Sequence, residues 1–431
     1  MSVEAEQAAA EIPSLFDSRW VELPEHSTVV DPQTLPKGFR AGGVAAGIKP
    51  SGKTDFGIIV SDVDATTSAA RFTVSSAPAA PVQVCRTRVD LAAIRAVVVN
   101  SGNANAATGP FGRDNAFYMQ GAAAMACGAP ENRVAVASTG VIGVQLDSRA
   151  LAKGASTVVR ELKPDNALGF AQAIMTTDLW PKMATLKVEL PGGEVTLSAQ
   201  AKGAGMIAPL HGGTPQPHAT LLAFIETDAA MTAELADELL GAAVADSFDR
   251  VTVDAQLSTN DSVFLIANGA SGVELASNSE DAEAFASALD ALLRGLAISL
   301  VRDGEGADRI GRVTVTGGNA GICERVARAI ADSPLVKTAL NGGDPNWGRI
   351  MQSVGMALAT GGPEQIDISI EGVEVASNGI ANRFDVDALN QAVSGREVEY
   401  DVKIPGEGAS ATVYFSDLGH DYVTLNAEYT T

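Results

Sequence analysis

The sequence predicts a layered α/β fold, a mixed α+β sandwich in which sheets and helices stack in successive layers. Three observations point there. Short apolar strands and helical patterns are interspersed along the whole chain rather than segregated. Pro191-Gly192-Gly193 separates two strand-like runs and reads as a hairpin turn. Other strands are divided by stretches of helical period, which reads as crossovers. With 431 residues and 46% hydrophobic content, the chain exceeds one compact core, so two or more subdomains are expected.

In chain order, residues 1–34 read as a loosely attached leader of helical composition. Strands follow at Phe56–Ser61, Ala70–Val74 and Ala93–Asn100, then a dense polar turn at Asn100–Gly109 and a small-residue helix over Asp114–Cys127. A buried strand, Val134–Ala137, ends in Ser138-Thr139-Gly140, where backbone N–H groups can converge on one point as an oxyanion site. Helical patterns cover Ser148–Leu162 and Ala167–Met175. The hairpin strands are Ala184–Leu190 and Glu194–Ala199, and a further strand is Leu221–Ile225. Helices Ala233–Phe248 and Ser279–Val301 bracket a strand at Val263–Ala267. Strand Arg312–Thr316 leads through Gly317–Gly321 into a helix at Ile322–Asp332, and Asp344-Pro345-Asn346 opens another. The last quarter is strand-rich and closes with Leu425–Thr431.

Composition excludes several classes. A net charge of −22 repels nucleic acid and anionic membranes. No apolar run approaches the roughly 18 residues of a membrane span, and the acidic N-terminus lacks a secretory signal's basic and apolar regions. Cys85, Cys127 and Cys323 are odd in number and far apart, which fits a reducing cytoplasm and no disulfide framework. The four histidines form no pair at metal-binding helical spacing. Gly47–Thr54 satisfies G-x-x-x-x-G-K-[ST], but a phosphate loop needs a helix after it, and a strand pattern follows.

Chemistry concentrates between Lys202 and Asp228. A glycine-rich run, Lys202–Gly205, passes through a turn-rich segment to Ala219-Thr220, then enters the apolar run at Leu221. A threonine at that junction suits a chain that cuts itself. The freed Thr220 carries a hydroxyl nucleophile and an α-amine, whose ordinary pKa of about 7.7–8.0 lets it act as general base. The plain alternative is a loop entering a strand, with Thr220 chosen for strand propensity. Gly213-Thr214 is a second candidate junction, with Pro215 immediately after it.

PKGFRAGGVAAGIKPSGK, NSGNANAATG, STGVIG, TTDLWPK, KGAGMIAP, ATLLAFIETDA, STNDS, RDGEGA, DPNWGRI and the terminal NAEYTT stand in this order. Together they resemble the ornithine acetyltransferase (glutamate N-acetyltransferase) family over about residues 35–431. The resemblance implies a fold similar in plan to N-terminal-nucleophile hydrolases. It implies cleavage at Ala219–Thr220 into an α chain (35–219) and a β chain (220–431) that stay together, and assembly into oligomers of αβ units. The implied activity moves acetyl from N-acetylornithine to glutamate in arginine biosynthesis by a ping-pong route. No cofactor is implied; acetyl-CoA is an additional donor in some members. It places the nucleophile at Thr220, the oxyanion pair at Thr139 and Gly140, and substrate contacts at Thr177, Lys202, Thr220, Glu305, Asn426 and Thr431. Leu210–His218 make the loop before the junction longer than the family's, and His218 replaces the usual methionine. Two alternatives remain open: an acyltransferase or amidase of a secondary pathway, and an unprocessed binding or regulatory protein.

Overall fold

The computed structural model describes residues 12–208, 221–358, 365–406 and 408–428. Thr214, Ala219, Thr220 and Thr431 lie outside these residues.

Three sheets organise the described chain. The central one has six strands in the order β1 (Ser27–Val30), β7 (Lys182–Leu190), β8 (Gly193–Lys202), β9 (Leu222–Thr227), β11 (Ser262–Ala267) and β4 (Thr67–Phe72). It is antiparallel except where β9 and β11 run parallel. The predicted hairpin is β7–β8, closed at Leu190↔Gly193. A four-stranded sheet contains β2 (Phe39–Val44), β3 (Phe56–Ser61), β5 (Ala96–Asn103) and β6 (Val134–Val141). The third sheet has seven strands: β10 (Val251–Thr252), β17 (Ser410–Ser416), β12 (Ile310–Thr316), β16 (Glu397–Lys403), β13 (Asp367–Ile370), β14 (Val373–Ser377) and β15 (Ile380–Ala381).

Period-2 alternation lets each sheet face two partners. On β8, Leu197, Ala199 and Ala201 join the apolar cluster that also holds Phe285, Leu289 and Leu292 of helix α6 (Glu280–Arg302). Ser198, Gln200 and Lys202 point the other way. On that side Phe224 of β9 meets Phe170 of helix α4 (Ala167–Ile174) edge-on at 5.0 Å and stacks on Phe264 of β11 at 5.7 Å. Helix α4 therefore wedges between the four-stranded and central sheets, and α6 lies between the central and seven-stranded sheets. By length and composition α6 could cross a bilayer, a reading that no apolar run in the sequence had suggested. The fold instead uses it as a core helix: Leu293, Leu296, Ala297 and Leu300 are all inaccessible.

Two regions differ from expectation. Described residues 12–34 contain no helix and are not loosely attached. Leu15 and Trp20 are buried in the α6 cluster, and Trp20 Nε1 donates to Glu399 Oε1 at 2.6 Å. Strand β1 pairs with β7 from Ser27↔Val188 to Val30↔Thr185. The buried indole and the sheet ladder outweigh the weak helical preference of this acidic segment. At the other end, the tail is a helix, α11 (His420–Glu428).

Candidate active site

A cavity of about 970 Å³ opens where the central and four-stranded sheets meet α11. It is lined by Thr139, Gly140, Thr177, Lys202, Glu305 and Asn426, so every sequence-predicted site residue within the described chain reaches it.

Thr139 and Gly140 arrive on a bulge. The sequence suggested that the strand ends at Ala137, but β6 continues to Val141, and Asn103 of β5 pairs with both Thr139 and Val141. A bulge leaves its extra residue out of the ladder and re-aims the backbone. Gly140 has φ +129°, and a Cβ there would lie 2.4 Å from the backbone carbon of Gly102. Only glycine fits both the conformation and the gap.

Lys202 arrives at the end of β8, on the polar face. It is buried, and its Nζ donates to Thr176 Oγ1 at 2.9 Å and Thr139 Oγ1 at 3.2 Å, with Asp178 Oδ2 at 3.7 Å. Of the two adjacent threonines, it is Thr176 that binds this lysine; Thr177 lies on the cavity wall beside it. Burial lowers the Lys202 pKa, and Asp178 opposes that shift.

Asp178 is the hub beneath the cavity. Its carboxylate accepts from Lys182 Nζ at 2.7 Å, from Gly203 N at 2.7 Å and from Thr176 N at 2.9 Å. Burial alone would raise its pKa, but Lys182 and Lys202 overcome this and hold it well below the carboxylate range. Lys182 also donates to Asp303, which accepts from Leu179 N at 3.1 Å. Burial disfavours the Lys182 charge, yet Asp178 and Asp303 together keep it protonated. This chain of charges ties the Thr176–Lys182 segment to the Asp303–Gly306 turn that carries Glu305.

Glu305 makes part of the cavity wall anionic, and its N–H donates to Ala204 O at 2.9 Å. Asn426 Nδ2 of α11 donates to its Oε2 at 2.8 Å, and a Cβ on Gly205 would lie 2.4 Å from its carboxyl carbon. A side chain at Gly205 would therefore push the Glu305 carboxylate from its place. Asp254 also lines the cavity and accepts from Met206 N at 2.6 Å and Ile207 N at 2.9 Å. Burial raises its pKa to about 6, against those backbone donors.

The Gly47–Thr54 stretch contributes a cation rather than a phosphate loop. Strand β3 follows it, as expected. The buried carboxylate of Asp55 accepts from the N–H groups of Ala46, Gly47, Ile48 and Lys49 at 2.6–3.1 Å, filling the anion nest from within the chain. That bend presents Lys49 to the cavity, where burial lowers its pKa to about 8.

Sequence reasoning missed Lys49, Asp178, Lys182, Asp254 and Asp303 as site residues. The motifs contained Lys49, Asp178, Lys182 and Asp303, but nothing local distinguished them from solvated charges. Among the described residues, no group of three or more histidine, cysteine or acidic side chains is arranged to hold a metal ion.

A layered α/β enzyme whose cavity is lined by both lysines and carboxylates is suited to a small substrate bearing both charges. The chain belongs to the ArgJ family, whose model matches residues 40–431. An arginine biosynthesis bifunctional protein ArgJ from Nitratidesulfovibrio vulgaris is 42% identical over 397 residues, covering 91% of this chain and 98% of the relative. One of the same description from Synechocystis is 40% identical over 413 residues, 92% of this chain and 97% of the relative. A crystal structure of ornithine acetyltransferase complexed with ornithine from Mycobacterium tuberculosis is 36% identical, with TM-score 0.39, covering 43% of this chain and 98% of that one.

Proposed function

We propose that this protein is a self-processing acetyltransferase of arginine biosynthesis that moves acetyl from N-acetyl-L-ornithine to L-glutamate. Family membership supports the pathway. The observation that carries the substrate reading is that Lys202 and Glu305 line one cavity. Lys202 matches the α-carboxylate common to donor and acceptor, and Glu305 matches the side-chain ammonium of ornithine.

The Thr220 hydroxyl oxygen attacks the acetyl carbonyl, and its proton passes to the Thr220 α-amine. Thr139 and Gly140 stabilise the oxyanion. The C–N bond breaks as ornithine nitrogen takes up a proton. The amine of glutamate then attacks the acetyl ester, and N-acetylglutamate leaves, regenerating the hydroxyl. Nucleophile and base sit on one residue, so the reaction requires no cofactor; acetyl-CoA enters as an alternative donor. Thr177, Asn426 and Thr431 complete the substrate contacts. The division into segments 1–34, 35–219 and 220–431 is part of the same reading.

Sheet topology supports fragments that stay together. Strands β1, β4, β7 and β8 precede the proposed cut and β9 and β11 follow it, yet all share one sheet. Registers from Leu197↔Thr227 to Lys202↔Leu222 cross the boundary. Cys85, Cys127 and Cys323 are all free thiols, in keeping with a reducing cytoplasm.

Denaturing mass measurement tests processing: fragments of 219 and 431 − 219 = 212 residues are expected. Active enzyme consisting only of intact chain would refute the N-terminal-threonine route. Transfer from N-acetylornithine to glutamate, rather than to water, tests the activity.

A further inference from the structure

Lys49 is a cation in the cavity wall to which the proposed acetyl transfer gives no task. Its stem packs on Gly102: a Cβ on that glycine, whose φ is +92°, would lie 2.8 Å from Lys49 Cγ. Gly102 is also the residue against which Gly140 packs. Lys49 therefore stands one backbone layer away from the bulge that carries Thr139 and Gly140.

The lysines of the cavity differ in how far their donors are occupied. Lys202 Nζ donates to Thr176 and Thr139 and has Asp178 at 3.7 Å. An ammonium carries three N–H donors. Among the described residues Lys49 Nζ uses one of them, to Thr54 O at 2.7 Å, and pairs with no carboxylate. Asp55 is committed to the backbone N–H groups of residues 46–49, and Asp178 to Lys182 and Gly203. Lys53 also lines the cavity but is exposed, where water screens its charge.

Donor and acceptor make different demands on these charges. N-acetylornithine brings one carboxylate and a side-chain ammonium. Glutamate brings two carboxylates and no side-chain cation. Lys202 serves the carboxylate that both share, and Glu305 would repel the second one. A dicarboxylic acceptor thus needs a further cation with unoccupied donors in the same cavity.

We propose that Lys49 binds the side-chain carboxylate of glutamate and so selects a dicarboxylic acceptor. The inference rests on the proposed acetyl transfer and adds the recognition of its second substrate. Burial lowers the Lys49 pKa to about 8, with Asp55 opposing that shift; a carboxylate at Nζ favours the charged form.

In a ping-pong reaction the kcat/KM of each substrate reports its own half-reaction. Lys49→Met should lower kcat/KM for L-glutamate by about 10–100-fold more than for N-acetylornithine. It should also cut the preference for L-glutamate over its amide, L-glutamine, by at least about tenfold. Lys49→Arg keeps a cation and should retain more of that preference. Equal losses on donor and acceptor, with the glutamate-to-glutamine ratio near that of wild type, would mark a structural lysine and overturn the inference. If Lys49→Met fails to fold, reductive methylation of lysines in the wild-type enzyme provides the test. N-acetyl-L-glutamate should protect Lys49 more strongly than N-acetyl-L-glutamine does, as read from peptide masses; equal protection refutes the contact. Wild-type enzyme that transfers no acetyl group to glutamate would sink the proposed function itself, an outcome separate from these.

Discussion

Lys202 Nζ donates to Thr139 Oγ1 across 3.2 Å, joining the end of β8 to the bulge of β6. The buried cation thereby orients the residue proposed as one half of the oxyanion site. Asp178, 3.7 Å from the same ammonium, supplies its counter-charge.

Thr139→Ala should lower kcat for acetyl transfer by about 10²–10³-fold if an oxyanion donor is lost or misplaced. Thr139→Ser keeps the hydroxyl and should retain most activity. Because Lys202 and Thr139 touch, Lys202→Met combined with Thr139→Ala should cost less than the sum of the single losses. Steady-state kinetics on the four proteins of this cycle decide it; strict additivity would separate the two roles.

Lys182→Met should be among the most destabilising single changes in the cavity floor. It leaves Asp178 and Asp303 buried without their shared cation. Removing one partner of a buried ion pair costs roughly 3–5 kcal/mol, to be read from denaturant midpoints. Adding Asp303→Asn should recover part of that loss, because one unpaired charge is then gone.

Glu226 offers a pH-dependent test of stability. It is fully buried on β9, where burial raises its pKa from 4.5 to about 8 against a hydrogen bond from Gln200. Between those values the unfolded chain has released the proton and the folded chain retains it. Fewer protons are bound in the unfolded state, so this group makes stability fall as pH rises through the window. Glu226→Gln should flatten that fall and stabilise the protein at pH 7 by about 1–3 kcal/mol. Urea midpoints at pH 5 and pH 8 check it: the gain should be larger at pH 8.

Asp55→Ala would strip the acceptor from four backbone N–H groups and release the bend that presents Lys49. Trypsin should then cleave faster after Lys53, and KM should rise more than kcat falls. Asp55→Asn keeps one acceptor oxygen and should give an intermediate result. Unchanged proteolysis would show that the bend holds itself.

Much of the site was legible because its motifs are local. Gly140 is a glycine required by close backbone approach, and Lys202 ends a strand whose alternation puts it on the polar face of β8. The buried hub was not legible. Asp178 and Lys182 lie four residues apart, a separation common on solvated surfaces, and only Asp303, 121 residues beyond Lys182, makes them a buried network. The N-terminal region was misread for a related reason: Trp20 gains its partner Glu399 only in the folded chain.

By itself, the sequence determined the alternation of strands and helices, the hairpin at Pro191–Gly193 and the order of motifs that marks the family. These depend on short-range periodicity and turn chemistry, which neighbouring residues settle between themselves. Tertiary structure decided which charges became a site. Lys202 meets Thr139 across 63 residues, and Asn426 meets Glu305 across 121. Such pairings follow from sheet register and layer packing, which bring distant side chains together and exclude the water that would otherwise screen them.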